Sequence, residues 1–237
     1  MAAKILMLVE GAKTDVRLMR HLIELYGIAE NHVIVSYNTN IYTLYKAMFI
    51  DNDPETVDLL QLLKSREQDP EKKLIFDEHY SDILLVFDLD PQDPTFSQES
   101  ILEMQAFFTE SSDMGKLYLN YPMVESFYHM KAIPDPDYHS RTATLDELRK
   151  GTYKSRVNAE NRNRDYTKFA ASKAECSIVI RQNLEKGRLL ANDTAFVPDS
   201  SRILEAGLTM LSDQQMIFVL CTCVYYIAEY SRVLLDE

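Results

Sequence analysis

No apolar run in the chain is long enough to cross a bilayer. A transmembrane helix needs about 18 to 20 apolar residues, and the nearest candidate, 216-MIFVLCTCVYYIA-228, falls short. A secretory signal is not expected either, because 4-KILMLV-9 is too short and meets Glu10 at once. A soluble, cytoplasmic chain with no membrane partner is therefore expected. Cys176, Cys221 and Cys223 form neither a C-x-x-C zinc pattern nor an even set for disulfides. Two of them lie inside the apolar run, where they read as small buried hydrophobes of a reducing compartment. The net charge of −12 argues against general attraction to nucleic acid over the whole surface. It leaves room for a local basic patch or for bound cations that reverse the field. Internal repeats and low-complexity segments are also absent.

Hydrophobic residues make up 46% of the 237 residues, enough to bury a sizeable core. The continuous run 4-KILMLV-9 reads as a strand buried on both faces, as in a parallel sheet. Val16, Met19, Ile23 and Tyr26 then recur at helical spacing, with Gly27 as the terminator. A second strand, 33-VIVSY-37, completes a β-α-β unit and so a parallel pair. Residues 41–80 read as a helical insertion that includes 55-ETVDLLQLLKSRE-67. A third strand, 83-ILLVF-87, runs straight into Asp88, Leu89, Asp90 and Pro91. Thr95 and Gln98 fit a capping box before the helix 99-ESILEMQAFFTE-110, and 116-KLYLNYP-122 reads as a fourth strand. No strand signal is strong after residue 122. Thr144 and Glu147 make another capping box. Helices are expected from about Asp165 to Leu190 and from about Ser201, and a last one from Ser212 to about Leu235 that carries the apolar run. The expected fold class is α/β: a parallel sheet flanked by helices over 1–132, with the insertion at 41–80, then a mostly helical region over 133–237.

Four acids follow strand ends: Glu10 after the first, Asp88 and Asp90 after the third, Glu125 after the fourth. In an open parallel sheet these ends share one edge, where ligands bind. Carboxylates gathered there repel one another unless a cation offsets the charge. Magnesium, which prefers a few carboxylates with water and phosphate, suits such a set. Ordinary turn chemistry also places Asp before Pro at a strand end.

The pair 6-LMLVEGAKTDV-16 and 84-LLVFDLD-90 resembles the Toprim domain, shared by primases, topoisomerases, a ribosomal-RNA maturase and OLD-family nucleases. Its pattern is an acid, often Glu-Gly, after the first strand and D-x-D after the third. The resemblance covers about residues 1–132 and implies a Mg2+ (or Mn2+) site. Asp88 and Asp90 would hold the metal, and Glu10 would act as ligand or general acid/base. The insertion between strands two and three is long, and elements for DNA gating, primer synthesis or ATP binding are not recognisable. The chain is most similar to small Toprim nucleases of bacterial defence systems, some of which work beside an ABC-type ATPase partner. A nuclease cutting DNA or RNA in antiviral defence is what this implies. D-x-D also serves aspartyl-phosphate phosphatases of the haloacid-dehalogenase type, but there it follows the first strand and no Pro comes next. A non-catalytic Toprim-like partner of an ATPase is the third reading.

Other residues have two readings each. Lys13 stands where it can touch a phosphate at a helix start, or is a solvated lysine. Asp15 and Glu125 are site members or simple first-turn acids. Lys131 lies beyond Glu125 as a candidate to neutralise a transition state, and His129 as a candidate base. Between residues 149 and 168 stand Arg149, Lys150, Lys154, Arg156, Arg162, Arg164 and Lys168 against only two acids. With Tyr153 and Tyr166 interleaved to stack on bases, this stretch is the expected nucleic-acid surface. The apolar C-terminal helix reads as core, or as the face of a homodimer.

Overall fold

Ile5–Val9 carries no polar face, and in the computed structural model, which describes residues 4–112 and 114–235, it forms the buried strand β1. Thr14–Leu25 follows as α1, its buried stripe of Leu18, Met19, Leu22 and Ile23 turned to the core. Gly27, at φ +69°, ends it. His32–Ser36 is β2, paired in parallel with β1 from Ile5↔His32 to Val9↔Ser36. The insertion folds as α2 (Ile41–Tyr45), a π turn over Lys46–Ile50, α3 (Leu59–Arg66) and α4 (Pro70–Ile75), the three α-helices being capped by Asn40, Asp58 and Asp69. Asp82–Asp88 is β3, parallel to β1. The helix α5 (Gln98–Phe107) is capped by the Ser97 hydroxyl rather than by the expected Thr95–Gln98 box, because Ser97 is the residue whose oxygen meets the Ser100 amide. Thr109–Glu110 is a short β4, and Gly115–Tyr121 is β5, parallel to β3.

The remainder holds β6 (Thr142–Thr144), α6 (Leu145–Arg149), α7 (Tyr153–Glu160), α8 (Lys173–Ala191), α9 (Ser200–Gln214), β7 (Met216–Phe218), β8 (Leu220–Cys221) and α10 (Tyr225–Tyr230). The Thr144–Glu147 capping box starts α6 as expected. The helix expected from Asp165 begins only at Lys173, since Ser172 caps it and Tyr166–Lys168 is a separate single turn.

The expected helix over 212–235 is interrupted: Met216–Cys221 is extended, and α10 covers only Tyr225–Tyr230. Gln215 adopts φ +55° and ends α9; then β7 pairs antiparallel with β6 and β8 with the end of β5. An unbroken apolar run has no period, so it suits a buried strand as well as a helix. Here the unpaired backbone of β5 and β6 decides. Ile217–Ala228 is buried within the chain, as the core reading of this run expects.

The main sheet has the order β2-β1-β3-β5-β4, with β8 also on β5. It is mostly parallel and flanked by helices; no helix among the described residues is long and apolar enough to cross a membrane. The boundary expected near residue 132 does not divide the core. One hydrophobic cluster runs from Ile5 to Leu235, and β8 extends the N-terminal sheet.

α8 meets α10 where Gly187 faces the Tyr225 hydroxyl and Pro198, so a Cβ at that glycine would collide with both. Gly187→Ala is expected to lower unfolding free energy by about 1–3 kcal/mol, read by urea denaturation, with a smaller loss in a Tyr225→Phe background. Unchanged stability would contradict this packing.

Candidate metal centre

The chain leaves β1 toward β2 on one side, then returns to place β3 on the other side of β1. The strand order therefore reverses between β1 and β3, and in open parallel sheets ligands bind at the strand ends beside such a reversal. Glu10 and the Asp88–Asp90 pair emerge there. Val9 is in register with Val86, so β3 runs past the end of β1. The Glu10 amide continues the ladder to the Val86 carbonyl at 3.0 Å, and the Asp88 amide donates to Glu10 Oε2 at 3.1 Å. Carboxylate oxygens of Glu10, Asp88 and Asp90 all lie within 4.8 Å of one another.

Each acid is held by a different local device. Asp88 is the last residue of β3, opposite Asn120 of β5, whose amide donates to Asp88 Oδ1 at 3.3 Å. Asp90 sits at φ +41°, a left-handed conformation that Asp tolerates better than most residues. Its amide donates to the Pro122 carbonyl and its carboxylate accepts from Gln92 Nε2 at 2.9 Å. The Tyr42 hydroxyl donates to the Leu89 carbonyl between the two aspartates, so α2 of the insertion supports this turn. Asp15, in the first turn of α1, packs against Gly11 so closely that a Cβ there would lie 2.6 Å from Asp15 Oδ2. Glu125 follows β5 on a short 3-10 turn and is buried.

These five carboxylates, with Lys13 and Lys154, line an open cleft of about 570 Å³. Lys154 comes from α7, far along the chain, and its Nζ lies 3.1 Å from Glu125 Oε1. Among the described residues, Asp15 Oδ1 and Glu125 Oε2 are buried with no hydrogen-bond partner. Burial pushes the Glu10 carboxyl up to about 8, with Asp90 and Asp15 adding repulsion. Burial also raises Asp15 to about 6, helped by Glu125. Asp88 is driven well above the carboxylate range by burial, then by Glu10, Asp15 and Asp90. Asp90 is raised by burial against the help of Gln92 and Lys154. Burial works against the charge of Lys154, yet Glu125, Asp88 and Asp90 hold its ammonium above its ordinary value. Two lysines beside five acids leave the acids in excess, and orphaned buried oxygens are what a cation would satisfy.

Lys131, the other lysine expected here, does not line the cleft; its Nζ lies 3.9 Å from Glu160. His129 is fully buried between Tyr153 and Glu160, and burial holds its imidazole down to about 4, so it is a structural residue. The basic stretch is largely self-neutralised. Lys150 pairs with Asp146, Lys154 with Glu125, Arg156 with Glu147, Arg162 with Glu175 and Lys168 with Asp165, leaving Arg149 and Arg164 exposed without an ion pair among the described residues. Tyr153 is 1% exposed and so offers no stacking face, which corrects that expectation. Sequence reasoning missed Asn120, Tyr42 and Gly11 as supports; only Gly11, inside Glu-Gly, carried a signal. Comparison with protein-family models, curated proteins and solved structures finds no match for this chain.

Glu10 keeps its proton to about pH 8 when folded and to about 4.5, its ordinary value, when unfolded. Between these values the folded state binds more protons, so the stability this group confers is complete below about 4.5 and is lost as pH rises toward 8. Glu10→Gln is expected to flatten the fall in metal-free Tm between pH 5 and 8, and Mn2+ to raise the wild-type Tm more at pH 8 than at pH 5. Parallel Tm profiles for the two proteins, with no metal effect, would contradict the site.

Proposed function

We propose that this chain is a Toprim-type nuclease that uses Mg2+ or Mn2+ to hydrolyse phosphodiester bonds in DNA or RNA. The observation that carries this reading is the convergence of Glu10, Asp88 and Asp90 within 4.8 Å beside the strand-order reversal. The Glu-Gly after β1, the D-x-D after β3 and the mostly parallel sheet agree with a Toprim-like fold. A role in antiviral defence beside an ATPase follows from the resemblance.

Glu10, Asp88 and Asp90 would hold the cation, and the orphaned oxygens of Asp15 and Glu125 leave donors for a second one. Bound there, a divalent cation supplies Lewis acidity toward phosphate and offsets the repulsion among the acids. Hydrolysis needs water to attack phosphorus while the bond to the leaving sugar oxygen breaks and that oxygen gains a proton. Glu10 would either ligate the cation as a carboxylate or, where Asp88 and Asp90 alone hold it, exchange the proton with the attacking water or the leaving oxygen. Lys154 takes the role first expected of Lys131. Its half-exposed ammonium can leave Glu125 and meet the charge that builds on the phosphate.

The full chain should nick or degrade a member of a panel of plasmid, single-stranded DNA and tRNA when Mg2+ or Mn2+ is present. Asp88→Asn and Glu10→Gln should each lower the rate by about 10²-fold or more, and Lys154→Ala by about 10- to 100-fold, with folding retained by circular dichroism. Wild-type cleavage by Asp88→Asn, or no cleavage of any substrate, would overturn the assignment. Release of phosphate from monoesters, with beryllofluoride trapped on an aspartate, would instead mark an aspartyl phosphotransferase.

A further inference from the structure

A second groove, of about 380 Å³, opens beside the acidic cleft and shares Ala12 and Lys13 with it. One wall is a stripe on α1. Lys13, Arg17 and Arg20 stand at i, i+4 and i+7, so they share a face over about 10 Å. All three are exposed, and none has an ion-pair partner among the described residues. That sets them apart from the basic stretch at 149–168, most of which is spent on neighbouring acids. In a chain of net charge −12, an unpaired basic stripe is a local reversal of field. Glu24 closes its far end.

The opposite wall is aromatic. Tyr166 lies flat on Tyr128, with ring centroids 4.0 Å apart and planes 11° apart, and Phe169 meets Tyr128 edge-on. Tyr128 and Phe169 are buried, whereas Tyr166 is half-buried. Its ring is thus held in place by packing while part of it faces the groove. The Arg17 guanidinium lies 5.8 Å from its centroid, so charge and ring meet at one point. Cations that follow a backbone, beside an ordered aromatic ring, are the combination that binds single-stranded nucleic acid. Bases of a duplex are stacked on each other and cannot use such a ring.

We propose that this groove binds an unpaired nucleic-acid strand, with phosphates on Lys13, Arg17 and Arg20 and a base on Tyr166, and leads that strand into the acidic cleft. Only its direction rests on the nuclease reading; binding does not need the metal. This places the strand on α1 instead of across residues 149–168.

The test is fluorescence anisotropy of a labelled oligothymidylate and of a hairpin duplex of equal length, in EDTA, across a salt series. The wild-type chain should prefer the oligothymidylate. Arg17→Ala/Arg20→Ala should weaken binding at least about tenfold and reduce the salt slope by about 1.4, from about 0.7 per phosphate contact on single strands. Tyr166→Ala should weaken it about 5- to 100-fold with the salt slope kept. Both residues of the arginine pair are exposed, and a wild-type Tm confirms that each variant is folded. Wild-type affinity in the arginine variant, an equal preference for the duplex, or a loss carried by Arg149→Ala/Arg164→Ala instead, overturns the groove. Binding that follows the expected pattern in a chain that cleaves nothing sustains the groove and sinks the nuclease. Cleavage that needs Asp88 but ignores Arg17 and Arg20 in both binding and rate does the reverse.

Discussion

The hydrogen bond from the Asp88 amide to Glu10 ties the ends of β1 and β3 together through a carboxylate that burial makes reluctant to ionise. Much around the cleft either holds this contact in place or answers its charge. Asn120 sits beside Asp88 and shares its carbonyl oxygen with the Cys221 thiol and the Cys223 amide. Tyr42 fixes the backbone between Asp88 and Asp90. Gly11 leaves space for Asp15 and Lys154 faces Glu125. Five acids in one cleft repel one another and are costly to assemble without a compensating charge.

The acids and the groups that compensate them come from different parts of the chain. Glu10, Asp15, Asp88, Asp90 and Glu125 all precede residue 132. Lys154 arrives on α7, and Cys221 of β8 with Cys223 just after it hold Asn120. Asn183 of α8 extends this support, accepting from the Cys221 amide at 2.9 Å and from the Tyr138 hydroxyl. Residues after 132 are therefore structural and electrostatic parts of the same centre, and the single hydrophobic cluster reflects that dependence.

The parallel strands were legible because each is a short apolar run bounded by a helix stripe or a turn. That pattern also put Glu10, Asp88 and Asp90 at one sheet edge. The run at 216–228 was not legible, since continuous apolar sequence has no period and its conformation was settled by strands from elsewhere. Lys131 and Lys154 were both visible as lysines after β5, but proximity in sequence favoured the wrong one for the cleft. Local charge density likewise favoured residues 149–168, because ion pairs such as Arg162–Glu175 join segments that sequence spacing does not relate. The stripe of Lys13, Arg17 and Arg20 was present in the helical period all along, yet its meaning depended on Tyr166 arriving from the far half of the chain.

On the proposed function, a divalent cation replaces protons among Glu10, Asp88 and Asp90. Metal ligands must be deprotonated, so binding below the raised carboxylate range has to release protons. Titration calorimetry of Mn2+ into the metal-free chain at pH 6.5, in buffers of different ionisation enthalpy, measures that release directly. About one proton or more should be released per cation bound, and Asp88→Asn should not bind. Binding heat independent of the buffer, or undiminished binding by Asp88→Asn, would contradict it.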